Sequence, residues 1–546
     1  MARNDAVATR RLLPLTPRAV GAMLRAGICL PFDPLALLES PLAWQVLNAA
    51  AREGVDDVLA RLETRRSVAS RDAALLAEPA LDAWLAYSWF REFLHLRNVL
   101  LAIQDKGHGF EANARAGGAV DVARQDWLVE CALADIGYPG RRTRFAGHLP
   151  SLNMLPAMAA GLPGETGGAV VVSAFGQPDI GHLLTEIRRS KRGRLIVVGE
   201  PEFAHTAYLR EIAAGASQRL DHAEFLLPVE RPIPAADPTP TSEQEAPFSF
   251  AAVVAAALAE CCWPVRLATG EAVRQVFAGH QIVKAVVADH ISDSGFAILA
   301  EARARDVPLR VIAHSGLPMD PLFRLPLSRG DRGSYVVSTH ARARKLANAL
   351  PRAGGGIMVQ VRKPQAFRNR SLETVARHVK TFRGAKHCRI GLLLTTGQHV
   401  FALDRPLGPV MDSLRGFLAE CAGNPVSLIF RLREREDDPA TLAHVLKVPE
   451  GLDISFQRVG QMPLGKFFGQ VDVVIEVGAP TSASLAAVAR GVPVFRLARF
   501  ETDERIGEVP GFPVLPASAA VARLREITGS LVRRIQLLRR QRKLFE

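Results

Sequence analysis

The stretch of the chain with the most chemistry in it is Val471–Leu497, VDVVIEVGAPTSASLAAVARGVPVFRL. An apolar run that reads as a buried strand leads into Gly478 and Ala-Pro-Thr-Ser, and a helix is predicted from Ser482 onward. Thr481 or Ser482 suits the N-cap. The free N–H groups and the positive end of such a helix form an anion site, and the hydroxyls of Thr481, Ser482 and Ser484 would add donors for a phosphate. The same residues also fit an ordinary strand–turn–helix with a hydroxyl cap. In VSLIFRLRERED (426–437) Arg431 and Arg433 lie at the end of another predicted strand. A guanidinium there binds a diphosphate or carboxylate in two-pronged fashion, or simply faces solvent.

A second group lies in VVADHISDSGFAILAEARARDVPLRVIAHSG (286–316). Asp289, His290 and Asp293 follow one predicted strand and His314 follows the next. Carboxylates and imidazoles at the carboxyl edge of a parallel sheet are suited to take a proton from a substrate hydroxyl. Their alternative uses are structural: Asp293 or Ser292 as a helix cap, His314 as a local hydrogen-bonding group.

Several chemistries have no sequence support. Gly176–Gly181 is followed by His182 rather than Lys-Ser/Thr, so there is no Walker A loop. No G-x-G-x-x-G follows a strand, no Asp-x-Asp occurs, and neither H-E-x-x-H nor G-x-S-x-G is found. The six cysteines, at 29, 131, 261, 262, 388 and 421, have no zinc spacing and read as free thiols of a reducing compartment. No cofactor or metal is expected.

Lys+Arg exceed Asp+Glu by 68 to 55, a net +13 that favours anionic partners. Aromatics are only 6% and are not interleaved with the basic residues, which disfavours nucleic acid. The apolar run Phe250–Ala259 is cut by Glu260, short of the ~20 residues that cross a bilayer. The basic N-terminus has no apolar segment behind it, so a cytoplasmic protein is expected.

The elements that must position these groups follow from periodicity. Residues 1–145 read as an all-helical unit. Trp84, Trp89 and Phe90 on the stretch 80–103 would be core residues or line an acceptor groove. Strands and helices alternate over 166–380 and again over 386–516, which predicts two doubly wound, Rossmann-like α/β units. PVRLAT (264–269) is read as one of the strands. Such a pair is expected to bind ligands in a cleft facing the carboxyl ends of both sheets.

The pattern V-D-V-V-I…T-S-x-x-x-A-A-x-x-x-G-V-P-V, with Asp472, Thr481, Ser482, Ala487, Gly491 and Pro493 on it, resembles the donor-nucleotide segment of GT-B glycosyltransferases. GLLLTTGQ (391–398) is similar to the opening strand and loop of capsular-polysaccharide transferases. Segment 286–316 is similar to their acceptor-side pattern. The resemblance covers about 166–510. It implies a GT-B fold, with a nucleotide-sugar site at Gly397, Arg431, Arg433, Thr481, Ser482 and Ser484, and a base among Asp289, His290, Asp293 and His314. It also implies metal-independent transfer to a saccharide or glycolipid acceptor. Two departures stand out: Ala486 replaces the Glu that often holds the donor ribose, and Arg431 and Arg433 stand in place of a His-Pro motif. Two rival readings follow, a GT-B-fold sugar-nucleotide epimerase and a non-catalytic nucleotide-sugar-binding scaffold.

The chain closes on a basic stretch, 517–546, read as one helix. From Val521 onward eight Lys/Arg (523, 525, 533, 534, 539, 540, 542 and 543) face two acids, with Leu531, Ile535, Leu538 and Leu544 as an apolar side. Such a helix either packs back on the α/β units or docks peripherally on an anionic membrane surface.

Overall fold

The structure is a computed structural model. It describes residues 11–14, 24–27, 41–68, 79–104, 110–113, 127–129, 131–137, 154–158, 168–174, 194–199, 223–230, 248–287, 293–312, 332–337, 358–361, 387–394, 407–432, 439–458, 462, 464–477, 482–497, 512–515 and 519–543. The chain divides into two compact units. One comprises Met1–Arg52, Trp89–Thr143 and Pro364–Leu544; the other comprises Glu53–Ser88, Arg144–Lys363 and Phe545–Glu546. Residues of the N-terminal third therefore belong to both.

Along the chain come β1 (Arg11–Pro14), α1 (Pro41–Val68), α2 (Pro79–Gln104) and β2 (Phe110–Asn113). β1 and β2 pair in parallel, although the sequence has almost no strand signal there. Next come β3 (Met154–Met158), β4 (Ala169–Ala174), β5 (Arg194–Gly199), β6 (Ala223–Glu230), α3 (Phe250–Ala257), α4 (Trp263–Gly279), β7 (Ile282–Val287), α5 (Asp293–Ala304), β8 (Leu309–Ile312), β9 (Gly333–Val337) and β10 (Met358–Val361). They form one sheet in the order β10-β9-β8-β7-β4-β5-β6-β3. Every pairing is parallel except that of β3 with β6. The parallel part is doubly wound as expected, and its order reverses between β4 and β7. The alternating pattern places helices at 180–189, 204–214 and 340–350, and these lie outside the described residues.

The strand expected at 264–269 is helix. α3 and α4 form one helical run, joined by a π turn at Leu258–Cys262. Pro264 supplies the reason. A proline inside a helix lacks an N–H and its ring crowds the carbonyl four residues earlier. A widened turn just before it relieves that crowding. The β-branched and apolar residues around Pro264 imitate a strand, but the tertiary packing keeps the helix, which buries Val273, Val276 and Phe277 against the sheet.

The unit that includes Pro364–Leu544 carries β11 (Cys388–Leu394), α6 (Leu407–Cys421), β12 (Val426–Leu432), α7 (Pro439–Leu446), β13 (Ile454–Arg458), α8 (Leu464–Gln470), β14 (Val473–Val477), α9 (Ser482–Ala489) and β15 (Val494–Arg496). The sheet runs β13-β12-β11-β14-β15, parallel throughout. β14 is buried along its whole length, as a parallel strand covered on both faces must be. Gly391 of β11 lets α8 sit close, because a Cβ there would come within 2.7 Å of Phe467 Cζ. Trp89 and Phe90 are core residues, and Trp89 packs edge-on against Trp127 with ring centroids 5.3 Å apart.

The C-terminal stretch is two helices rather than one, α10 (Ala520–Gly529) and α11 (Leu531–Arg542). Ser530 breaks them: its backbone is extended and its hydroxyl accepts from the Arg533 N–H, starting a new helix. At the start of α10 the N–H groups of Ala520 and Val521 donate to the Glu420 carboxylate, at 2.8 and 2.9 Å.

Candidate nucleotide site and the polar knots around it

In a doubly wound sheet ligands bind beyond the carboxyl ends of the strands, where the strand order reverses. In the five-stranded sheet that point lies between β11 and β14, whose final residues Leu394 and Val477 are register partners. In the larger sheet it lies between β4 and β7. The candidate residues map onto these points by chain position. Gly397 follows β11 and Thr481 follows β14, while Asp289 and His290 follow β7 and His314 follows β8. Those five residues and Arg433 lie outside the described residues. Ser482 is the first residue of α9, so the N-terminus of that helix does open after β14.

Arg431, half-buried near the end of β12, donates through Nε to the Met462 carbonyl at 3.4 Å. It belongs to a row of register partners across the five strands: Arg496, Glu476, Leu393, Arg431 and Gln457. Partners in a parallel ladder share a face, so this row lies on one face close to the carboxyl edge. Glu476 and Arg496 are both buried. The sequence reading passed over Glu476, Arg496 and Gln457. The signal was present in VDVVIEVG, where an acid interrupts a run that must be buried on both faces.

Ser484 is fully buried, and its hydroxyl donates to Glu476 Oε2. That hydroxyl is committed to the sheet beneath it, which ties the first turns of α9 to β14. Asp472, the other residue marked on the motif, sits at the opposite end of the strand. Its carboxylate accepts from the Arg389 N–H at 2.9 Å and from Arg389 Nη2 at 3.4 Å, and its carbonyl accepts from Arg534 of α11. Asp472 therefore fastens β11, β14 and the C-terminal helix at the amino edge.

Asp293 opens α5 and is 3% exposed. Its Oδ1 accepts from Arg266 Nε at 3.0 Å. Arg266 Nη2 lies 3.0 Å from Asp82 Oδ1, and Asp82 Oδ2 accepts from Arg66 Nη2 at 2.6 Å and from Trp263 Nε1 at 3.3 Å. Two arginines and two aspartates form a linear, largely buried chain joining α1, α2, α4 and α5. The π turn sets which residues of α4 face Asp82: Trp263 and Arg266 are three apart and both reach it. Burial pushes the Asp293 carboxyl up from its ordinary range; Arg266 opposes this, and Asp82 adds to it.

Among the described residues no group of three or more His, Cys, Asp or Glu is placed to hold a metal ion. Among them, too, no helix is long and apolar enough to cross a membrane.

No protein-family model and no curated protein matches the chain. Solved structures do. One is Staphylococcus aureus MnaA in a co-structure with UDP, with 12% identity and a TM-score of 0.42 over 69% of this chain and 93% of that one. A UDP-N-acetylglucosamine 2-epimerase from Rickettsia bellii has 12% identity and a TM-score of 0.39 over 67% and 88%. A UDP-glucosyltransferase from Polygonum tinctorium has 11% identity and a TM-score of 0.36 over 70% and 95%.

Proposed function

We propose that this chain is a metal-independent GT-B-type glycosyltransferase that moves a sugar from a nucleotide-sugar donor to a saccharide or glycolipid acceptor. The observation that carries the reading is the coincidence of the sequence candidates with the two points where strand order reverses. On the five-stranded sheet, Gly397 and the pair Thr481 and Ser482 follow, in the chain, the two strands that flank that point, with Arg431 on the neighbouring strand. The N-terminus of α9 would take the donor phosphates. Arg431 and Arg433 would balance the charge that develops on the leaving diphosphate or monophosphate.

On the larger sheet Asp289 and His290 follow β7, one of the two flanking strands, and His314 follows its neighbour. We assign the base to this group. The Asp293 carboxylate is held by Arg266, which suits it better to fixing the start of α5 than to receiving a proton. We place the reaction in the cytoplasm at an anionic membrane surface, reached through α10 and α11.

A second reading is favoured by Ala486 and by the engagement of Ser484 with Glu476, which together leave the donor pocket poorer in polar groups than a transferase needs. On that reading the chain binds a nucleotide sugar without turning it over.

Calorimetry against a panel of nucleotides and nucleotide sugars tests both. The pair Thr481→Ala and Ser482→Ala should weaken donor binding by about 1–3 kcal/mol without unfolding, the range for hydrogen bonds to charged oxygens. Unchanged affinity removes the site. Binding without donor hydrolysis or transfer selects the scaffold. If Asp289→Asn, His290→Gln and His314→Gln each keep full turnover, the base is elsewhere.

A further inference from the structure

We infer that the outward face of α11 is a docking surface for anionic lipid headgroups, which holds the protein by charge alone and at the end of its sheet away from the nucleotide site. This deepens the peripheral-membrane reading above and rests on it.

The sequence offers Leu531, Ile535, Leu538 and Leu544 for insertion into a bilayer, but α11 uses its inner side for the protein. Leu538 is buried, together with Arg534, Gln541 and Arg542. Arg534 donates to the Asp472 carbonyl. The Gln541 amide donates to the Val494 carbonyl at 2.5 Å and accepts from its N–H at 3.2 Å. Gln541 thereby does for the edge strand β15 what a sixth strand would do, satisfying a backbone pair that an open edge leaves bare.

The outer face is different. Val532, Gln536, Arg539, Arg540 and Lys543 recur at three- and four-residue spacing, so they share one side of the helix. All five are exposed. No acid of α11 lies among them. Arg533, at the margin, pairs with Glu526, as does Arg523 of α10. Val532, 64% exposed, sits among the cations. One exposed valine is too little apolar surface for insertion, so the cations carry this face, and it has no aromatic ring on which a nucleic-acid base could stack.

The anchors fix where this face lies. Asp472 immediately precedes β14, and Val494 is the first residue of β15, so α11 crosses the amino edge of the sheet. The N-terminus of α9 opens at the carboxyl edge. At ~3.3 Å per residue the five residues of β14 separate them by roughly 15 Å. The surface is therefore a tether and does not itself hand a lipid-linked acceptor to the nucleotide site.

The full chain should co-sediment with vesicles of phosphatidylcholine mixed with phosphatidylglycerol, should not co-sediment with phosphatidylcholine alone, and should be released by salt. The triple variant Arg539→Gln, Arg540→Gln, Lys543→Gln should bind the mixed vesicles roughly a hundredfold more weakly, the loss of three surface cations. It should keep the wild-type melting temperature, because all three side chains are exposed. Val532→Ala should leave binding unchanged. Four outcomes overturn the inference: equal binding by the triple variant, equal binding to neutral vesicles, no binding at low salt, or tighter binding to duplex DNA than to the mixed vesicles. Nucleotide calorimetry on the triple variant keeps the two readings apart. Loss of lipid binding with donor affinity intact bears on the tether alone, whereas absence of nucleotide binding in the wild type sinks the transferase and leaves the tether standing.

Discussion

The two sheets share an architecture but fasten distant helices through charged groups at opposite ends. In the larger sheet the chain Arg66–Asp82–Arg266–Asp293 lies at the start of α5, just past the carboxyl end of β7. In the five-stranded sheet the corresponding knot, Asp472 with Arg389 and Arg534, lies at the amino edge, and the carboxyl side holds Glu476 and Ser484. The difference lies in what each sheet must fasten. The larger sheet recruits segments of α1 and α2 far away in sequence, and a carboxylate shared by two arginines and an indole joins them. The smaller sheet fastens the helix that ends its own chain segment. A buried acid at a strand end thus reports which element is being docked as readily as it reports chemistry.

The largest effect should come from opening the chain at Arg266. Removing one partner of a buried ion pair costs about 3–5 kcal/mol, because the remaining charge is left without compensation. Arg266→Ala deprives Asp293 of its arginine and Asp82 of one of its two. Hydrogen exchange should show peptides from α4 and α5 losing protection while β11 to β15 keep theirs. Equal loss in both units, or none, would mean the chain is not a local fastening of the larger sheet.

Acid should separate the units in a second way. His95 of α2 belongs to the unit with the five-stranded sheet, and burial lowers its pKa from 6.5 to about 4. The unfolded chain therefore binds more protons than the fold between those values, and stability falls as pH drops through that window. A shift of this size corresponds to about 3 kcal/mol at ~1.36 kcal/mol per unit. Asp293 has the opposite sign. Its folded pKa is raised above the ordinary 3.8, so the fold binds the proton more tightly, and lowering the pH favours the larger sheet's unit through this group. Limited proteolysis from pH 7 to 4 should release fragments of the five-stranded unit first, and His95→Gln should reduce the difference.

Much of this was legible in the sequence. The five-stranded unit follows its apolar runs closely: 426–434 is read as a strand and Val426–Leu432 is one, and the helix at 439–446 has those limits in the structure. The larger sheet was legible as alternating strands and helices, with its failures where short-range pattern and packing disagree. PVRLAT has strand composition but continues a helix, and β3 and β10, of five and four residues, are too short to announce themselves. The N-terminal third hid its connections, since nothing in 1–145 alone says that Asp82 will meet Arg266. At the candidate site, the start of α9 at Ser482 was visible because the turn chemistry before a helix is local. The Glu476–Ser484 contact was not, because it depends on which face of β14 the helix covers.

The smallest effect is expected at Asp472, and it bears on whether the amino-edge knot is held by charge or by the backbone. Arg389, its ionic partner, is more than a third exposed, so solvent screens that pair and its charge contributes little, about 0–1 kcal/mol. The contacts in the interior are of another kind. The Arg389 N–H reaches a carboxylate oxygen, the Asp472 N–H donates to the Arg389 carbonyl at 2.8 Å, and Arg534 takes the Asp472 carbonyl. An asparagine side chain keeps an oxygen for the first of these and leaves the other two untouched. Asp472→Asn should therefore cost under about 1 kcal/mol in urea unfolding, whereas Asp472→Ala, which strands the Arg389 N–H, should cost about 1–3 kcal/mol. Equal losses in the two variants would show that charge, and not backbone satisfaction, holds this end of the sheet. The two knots would then differ only in position.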